Sequence, residues 1–163
     1  MIPKQKPYQS RQDYSTPENF MCAVKRRLGI REFVFDFAAD CANTKAANWW
    51  NTRDDALGLG DWAFQCRGGW GWLNPPFADI RPWAQRCRST QQYGGSVALL
   101  VPAAVGSNWF RDYVDGYARV LLLNGRLAFM PDKPKWLYPK DCMLCLYSPT
   151  LKPGYEVWNW RHA

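Results

Sequence analysis

The chain has 163 residues, 47% hydrophobic and 16% aromatic, with ten tryptophans; this predicts a packed globular fold, excludes disorder, and suits a single domain over 1–163. Lys and Arg number 21 against 14 Asp and Glu, a net charge of +7. The excess is uneven, with 10 basic and 9 acidic side chains in residues 1–80 but 11 and 5 in residues 81–163, so the second half is the part expected to attract a polyanion. Nucleic acid leads that class, with a well-solvated basic surface as the plain alternative.

Residues 1–14, "MIPKQKPYQSRQDY", are polar and basic and read as an N-terminal arm carrying Lys4, Lys6 and Arg11. "STPENF" then has the form of a helix start, with Ser15 or Thr16 as the cap, Pro17 in the first turn and Glu18 at the positive end of the dipole. The helix is expected to run to Leu28 and stop at Gly29. "EFVFDFAAD" reads as a strand ending at Asp36, followed by a turn of small residues. "AANWWNTRDDALGLGDW" predicts a short strand and a loop around Asp54 and Asp55. "GGWGWLN" is a strand that runs into Asn74, Pro75, Pro76 and Phe77.

Beyond that corner, "DIRPWAQRCRSTQQY" has helical composition with Pro82 confined to its first turn. "GGSVALLVP" is the clearest buried strand; "GSNWFRDYVDGY" is helix-like, and "ARVLLLNG" and "DCMLCLY" are further buried strands. Near-continuous apolar strands alternating with helices predict an α/β fold, with a mostly parallel sheet covered on both faces.

Six scattered cysteines lack the spacing of a disulfide framework, and no signal-peptide pattern precedes them, so reduced thiols and a cytoplasmic location are expected. "CMLC" reads as two small apolar residues of a strand, and no metal site is expected. The sole histidine, His162, lies almost at the end of the chain, a poor place for a catalytic base. No apolar run reaches the length of a membrane span.

In an open α/β sheet the working residues lie at the carboxyl ends of strands, and Asp36 and Asn74 are the two polar residues placed there. A carboxamide offers one acceptor oxygen, while prolines stiffen the backbone and leave carbonyls without competing N–H groups. A planar amino group is therefore expected to donate to the Asn74 side chain and the Pro75 carbonyl, with its ring laid against Phe77. Each reading has a plainer counterpart: Asp36 as a helix cap, Asp54 and Asp55 as a solvated pair, Phe77 as core, and Arg126 as a surface charge rather than a phosphate contact.

"NPPF" resembles the catalytic motif of S-adenosylmethionine-dependent amino-methyltransferases. With "STPENF", "FDFAADCAN", "DDALGLGDW", "ALLVPA", "NWF" and "LLNGRLAF" in the same order, the chain is similar to the phage-type DNA N6-adenine methyltransferases, the phage Dam family. The resemblance implies a compact, reduced Rossmann-like methyltransferase fold, S-adenosylmethionine as methyl donor, flipped-out adenine in DNA as substrate, and, for a phage protein, the host cytoplasm. It implies that Asn74, Pro75, Pro76 and Phe77 form the adenine pocket. It likewise implies that Thr16, Pro17, Asp36, Ala38, Ala39 and Asp55 hold the donor. The usual Gly-rich turn is here "AAD", and the interval from Asp36 to Asn74 is short for a full cofactor half. Rival readings are methylation of an RNA adenine or a protein glutamine, and a non-catalytic nucleic-acid-binding module.

Finally, "FMPDKPKWLYPKD" at 129–141 holds three prolines, which rule out a regular helix. Lys133, Lys135 and Lys140 alternate there with Trp136 and Tyr138. Lys133, Lys135, Trp136, Lys140 and Arg126 are the predicted DNA contacts, ammonium groups on phosphates and an aromatic against the groove or an unstacked base.

Overall fold

The computed structural model describes residues 15–51, 56–130 and 133–163. The arm at 1–14 and the pair Asp54 and Asp55 lie outside the described residues. In chain order the elements are α1 (Glu18–Leu28), β1 (Phe35–Ala39), β2 (Trp49–Asn51), α2 (Trp62–Gln65), β3 (Gly71–Leu73), α3 (Arg81–Gln92) and β4 (Val97–Pro102). There follow α4 (Asn108–Tyr113), β5 (Arg119–Leu123), β6 (Cys142–Tyr147), β7 (Gly154–Trp158) and a 3₁₀ turn (Trp160–His162).

The seven strands form one sheet in the order β2-β1-β3-β4-β6-β5-β7. Only β6 runs against the rest: it pairs antiparallel with β4 and β5, whereas β1 to β4 and the β5–β7 pair are parallel. The α/β, mostly parallel architecture is thus as expected and fits a Rossmann-like methyltransferase fold. All six residues of β4 and of β6 are buried, which is why their sequences are apolar without alternation. On one face Phe37, Leu73, Leu99 and Cys145 pack with Trp83 and Cys87 of α3 and Phe110 of α4. On the other, Trp72, Leu100, Leu121 and Leu144 pack with Phe20, Met21 and Val24 of α1. Cys142 and Cys145 fall on opposite faces of β6.

Local chemistry sets the boundaries. Gly29, at φ 67°, ends α1: its N–H and that of Ile30 return to the carbonyls of Arg26 and Lys25. Glu18 stands in the first turn and Lys25, Arg26 and Arg27 in the last, each sign at the favourable end of the dipole. Phe37 stacks flat on Trp62 at 4.0 Å, and a Cβ on Gly71 would collide with that Phe37 ring and stand 2.9 Å from Cys66 Sγ. Glycine at the start of β3 therefore makes room for the aromatic layer beneath β1.

Two expectations are corrected. Pro17 is the N-cap residue of α1 and no side chain caps it, so neither Ser15 nor Thr16 acts as a cap. Strand β1 does not end at Asp36 but continues through Ala39, which places Asp36 inside the sheet. The chain also has elements with no strong sequence signal: α2, capped by Asp61, and the edge strand β7 with its 3₁₀ turn. This last segment is clasped to α1. Phe20 meets Trp160 edge-on at 5.2 Å, and Arg27 makes two hydrogen bonds, 2.9 and 2.8 Å, to Glu156. Those bonds and one from Arg119 hold the Glu156 carboxyl below its usual range. No helix among the described residues is long and apolar enough to cross a membrane.

Candidate active site

Strand β3 ends at fully buried Leu73 and delivers Asn74, half-buried, to the carboxyl edge of the sheet. Asn74 Nδ2 donates to Thr16 Oγ1 at 3.1 Å, and Thr16 is itself buried, at 3% exposure. The hydroxyl expected to cap α1 instead fixes the carboxamide of a residue 58 positions away. With its nitrogen held there, the amide presents Oδ1 as its acceptor. Pro75 is buried and Pro76 and Phe77 are half-buried, so the corner is seated in the fold on one side and open on the other.

Phe77 packs edge-on against Phe129 at 6.1 Å and Tyr138 at 5.7 Å, and those two rings lie 5.5 Å apart. Both belong to the connection between β5 and β6, where the Tyr138 N–H donates to the Leu127 carbonyl at 2.7 Å. The Pro-rich loop therefore lies against the corner. Sequence reasoning named neither Phe129 nor Tyr138 as a site residue, and both are partners of Phe77. The only signal for either was aromatic character within an irregular stretch.

The turn after β1 is built differently. Asp36, 2% exposed, accepts from the N–H of Ala38 at 3.3 Å and of Lys45 at 2.8 Å. Burial pushes its carboxyl up to about 6, against the pull of those two N–H groups and the Lys45 charge. Asp40 Oδ1 accepts from Ala42 and Asn43, the Asp40 carbonyl accepts from Thr44, and Asn43 Oδ1 accepts from the Asp40 N–H. Carboxylate and amide side chains thus close a turn that glycines would close elsewhere. Ala38 and Ala39 are the last two residues of β1, so only methyl groups stand at that strand end. Lys45 Nζ lies 3.7 Å from the Glu18 carboxylate and ties the turn to the start of α1. A cleft of about 400 Å³ runs between them, lined by Glu18, Met21, Lys25, Phe33, Thr44 and Lys45.

Past the pair Asp54 and Asp55, the chain is held from two sides. Trp62 Nε1 donates to the Ala56 carbonyl at 3.2 Å, and Arg86 of α3 reaches the carbonyls of Leu59, at 3.1 Å, and Gly60. Of the predicted DNA contacts, Lys133, Lys135, Trp136 and Lys140 are all exposed. Trp136 is 70% exposed and has the Lys133 ammonium 5.8 Å from its ring centre. Arg126 is committed to Asp141 at 3.2 Å. The fold brings Thr16, Asn74 and Phe77 together. Asp36 forms its hydrogen bonds with the turn, and none with the corner among the described residues.

The family model of DNA N-6-adenine-methyltransferases (Dam) matches residues 4–147. No curated protein matches the chain. The matched stretch ends at the last residue of β6, leaving β7 and the 3₁₀ turn outside it.

Proposed function

The chain belongs to the DNA N-6-adenine-methyltransferase (Dam) family, and we propose that the corner at Asn74 is where the adenine amino group is held during methyl transfer. The observation that carries this is the Asn74–Thr16 bond: it engages the carboxamide nitrogen and leaves Oδ1 as an acceptor on the residue that precedes Pro75. An adenine inside a duplex has its N6 hydrogens engaged by its partner base, so the base leaves the stack to reach this corner. Asn74 Oδ1 and the Pro75 carbonyl then accept the two N6 hydrogens, and Phe77 supports the ring face. Acceptors placed there stabilise the nitrogen as it gains positive charge, and they do so without reorganising at the moment of reaction. No residue of the corner is a strong base, and the proton is released to water.

Membership of the family implies S-adenosylmethionine, which when bound supplies a methyl group on a positively charged sulfur. The residues fit such a group. Ala38 and Ala39 present only methyl groups at the end of β1, and the buried Asp36 carboxyl, ionised above about pH 6, favours a cation nearby. Thr16 and Pro17, at the entry to α1, complete the set with Asp55. Exposed Lys133, Lys135 and Lys140 serve the phosphate backbone, and exposed Trp136 a groove or an unstacked base.

Incubating the chain with tritiated S-adenosylmethionine and, in parallel, unmethylated DNA, RNA and protein tests this reading. Label is expected in DNA, at adenine N6. Label confined to RNA or protein would overturn the choice of substrate.

A further inference from the structure

We propose that Arg161, on the C-terminal segment beyond the family-matched residues, is a DNA phosphate contact that extends the binding surface about 20 Å from the adenine corner. The inference rests on the proposed DNA-binding reading of the corner and adds a contact outside it.

Arg161 lies in the 3₁₀ turn that follows β7. Strands β3, β5 and β7 point the same way, so this turn emerges on the same edge of the sheet as Asn74. The guanidinium is exposed yet held. It sits 5.0 Å from the centre of its neighbour's ring, Trp160, which is itself only 5% exposed. Its Nη2 donates to the Arg126 carbonyl at 3.1 Å. It also lies directly over Gly125, where any Cβ would collide with it. No salt bridge among the described residues engages Arg161, whereas nearby Arg126 is paired with Asp141. A fixed, exposed guanidinium fork without a counter-ion is well suited to phosphate, because little side-chain entropy remains to be lost on binding.

The spacing fits a duplex laid along this edge. Four inter-strand steps separate β3 from β7, which at ~4.8 Å each is roughly 19 Å. Helix α1 ties the two ends together: Thr16, just before its start, bonds Asn74, Phe20 in its first turn meets Trp160 at 5.2 Å, and Arg27 in its last turn pairs with Glu156 of β7. Between the two ends lies the connection that packs Tyr138 and Phe129 against Phe77 and carries exposed Lys133, Lys135 and Lys140. At about 3.4 Å per base step, Arg161 reaches a phosphate roughly six steps from the flipped base.

The test is filter binding of the full chain to a mixed-sequence duplex of about 24 base pairs over a range of salt concentrations. Arg161→Ala is compared with Arg31→Ala, which removes the same charge from the opposite edge, between α1 and the start of β1. Arg161→Ala is expected to weaken binding several-fold and reduce the salt slope by about 0.9, with melting unchanged; Arg31→Ala leaves the slope as it is. Arg161→Lys should keep most of the slope. An unchanged slope in Arg161→Ala, or an equal loss in Arg31→Ala, overturns the inference and leaves the corner's assignment standing. A wild-type chain with no salt-dependent DNA binding overturns both.

Discussion

The corner that follows β3 and the turn that follows β1, braced by Asp36 within that strand, are both polar structures, and they spend their polar atoms in opposite ways. In the turn, Asp36, Asp40 and Asn43 give their oxygens to N–H groups within nine residues. At the corner, Asn74 Nδ2 donates to Thr16 Oγ1, 58 residues away, and Oδ1 is retained as an acceptor. A locally satisfied turn holds a shape; a distantly braced amide with an oxygen in reserve holds a reactant. Substitutions at the corner should therefore act on turnover with little change in stability, and those in the turn on stability and donor affinity.

Asn74→Ala gives the largest expected effect. Losing an acceptor that strengthens in the transition state lowers turnover by roughly 100-fold or more, while calorimetric donor affinity stays close to wild type. Normal turnover in this variant would remove the corner from the chemistry. Thr16→Val should do less, about 10-fold in turnover, because the amide remains but loses its orientation, a loss read by turnover at saturating donor and DNA. A valine variant that melts normally and turns over normally would show that the Thr16 bond does not orient Asn74.

The turn is probed by pH. Burial pushes the Asp36 carboxyl up to about 6 in the fold, from 3.8 when unfolded. Between those values the folded chain keeps a proton that the unfolded chain releases. Asp36 therefore makes the protein less stable as pH rises from about 4 to about 6, by on the order of 3 kcal/mol at most, with no further change above. Comparing denaturant melts of wild type and Asp36→Asn across that range checks the sign: the variant should lack this component. Donor affinity should move the other way, falling below about pH 6 as Asp36 becomes neutral, and the calorimetric pH profile of Asp36→Asn should be flat there.

Much of this was legible in the sequence where one interaction dominates locally. Gly29 ends α1 because only a left-handed residue closes that turn, and "VALLVP" and "CMLCLY" are central strands because both of their faces are covered. The Asn-Pro-Pro-Phe corner was legible as a candidate site because stiff carbonyls and a carboxamide have few structural uses together. What failed depends on tertiary packing. Strand β7, "GYEVW", carries Tyr155 and Val157 outward at 52% and 70% exposure, so its pattern does not announce a buried face. Its place is set by pairing with β5 and by the clasp of Trp160 on Phe20. Thr16 looked like a helix cap because nothing near it in sequence reveals Asn74. Asp36 looked like a strand end because an ionisable residue within a strand is unusual, and burial is what raises its pKa.

The smallest effect on chemistry is expected from the loop that the aromatic cluster holds against the corner. Lys133 and Lys135 are exposed and have no acidic partner among the described salt bridges, so their reversal to Glu should leave melting nearly unchanged. If they neutralise phosphates, the double variant loses about two units of the salt slope and binds all sequences more weakly, while turnover at saturating DNA holds. Tyr138 supplies the contrast: it packs on Phe77, so Tyr138→Ala should lower turnover by loosening the corner and leave the salt slope alone. The two variants thus separate the loop's two surfaces, charge facing outward and rings facing Phe77. A slope unaltered in the lysine variant would move the DNA path off this loop, whereas a slope altered in Tyr138→Ala would mean that the rings set the position of the lysines as well as that of the corner.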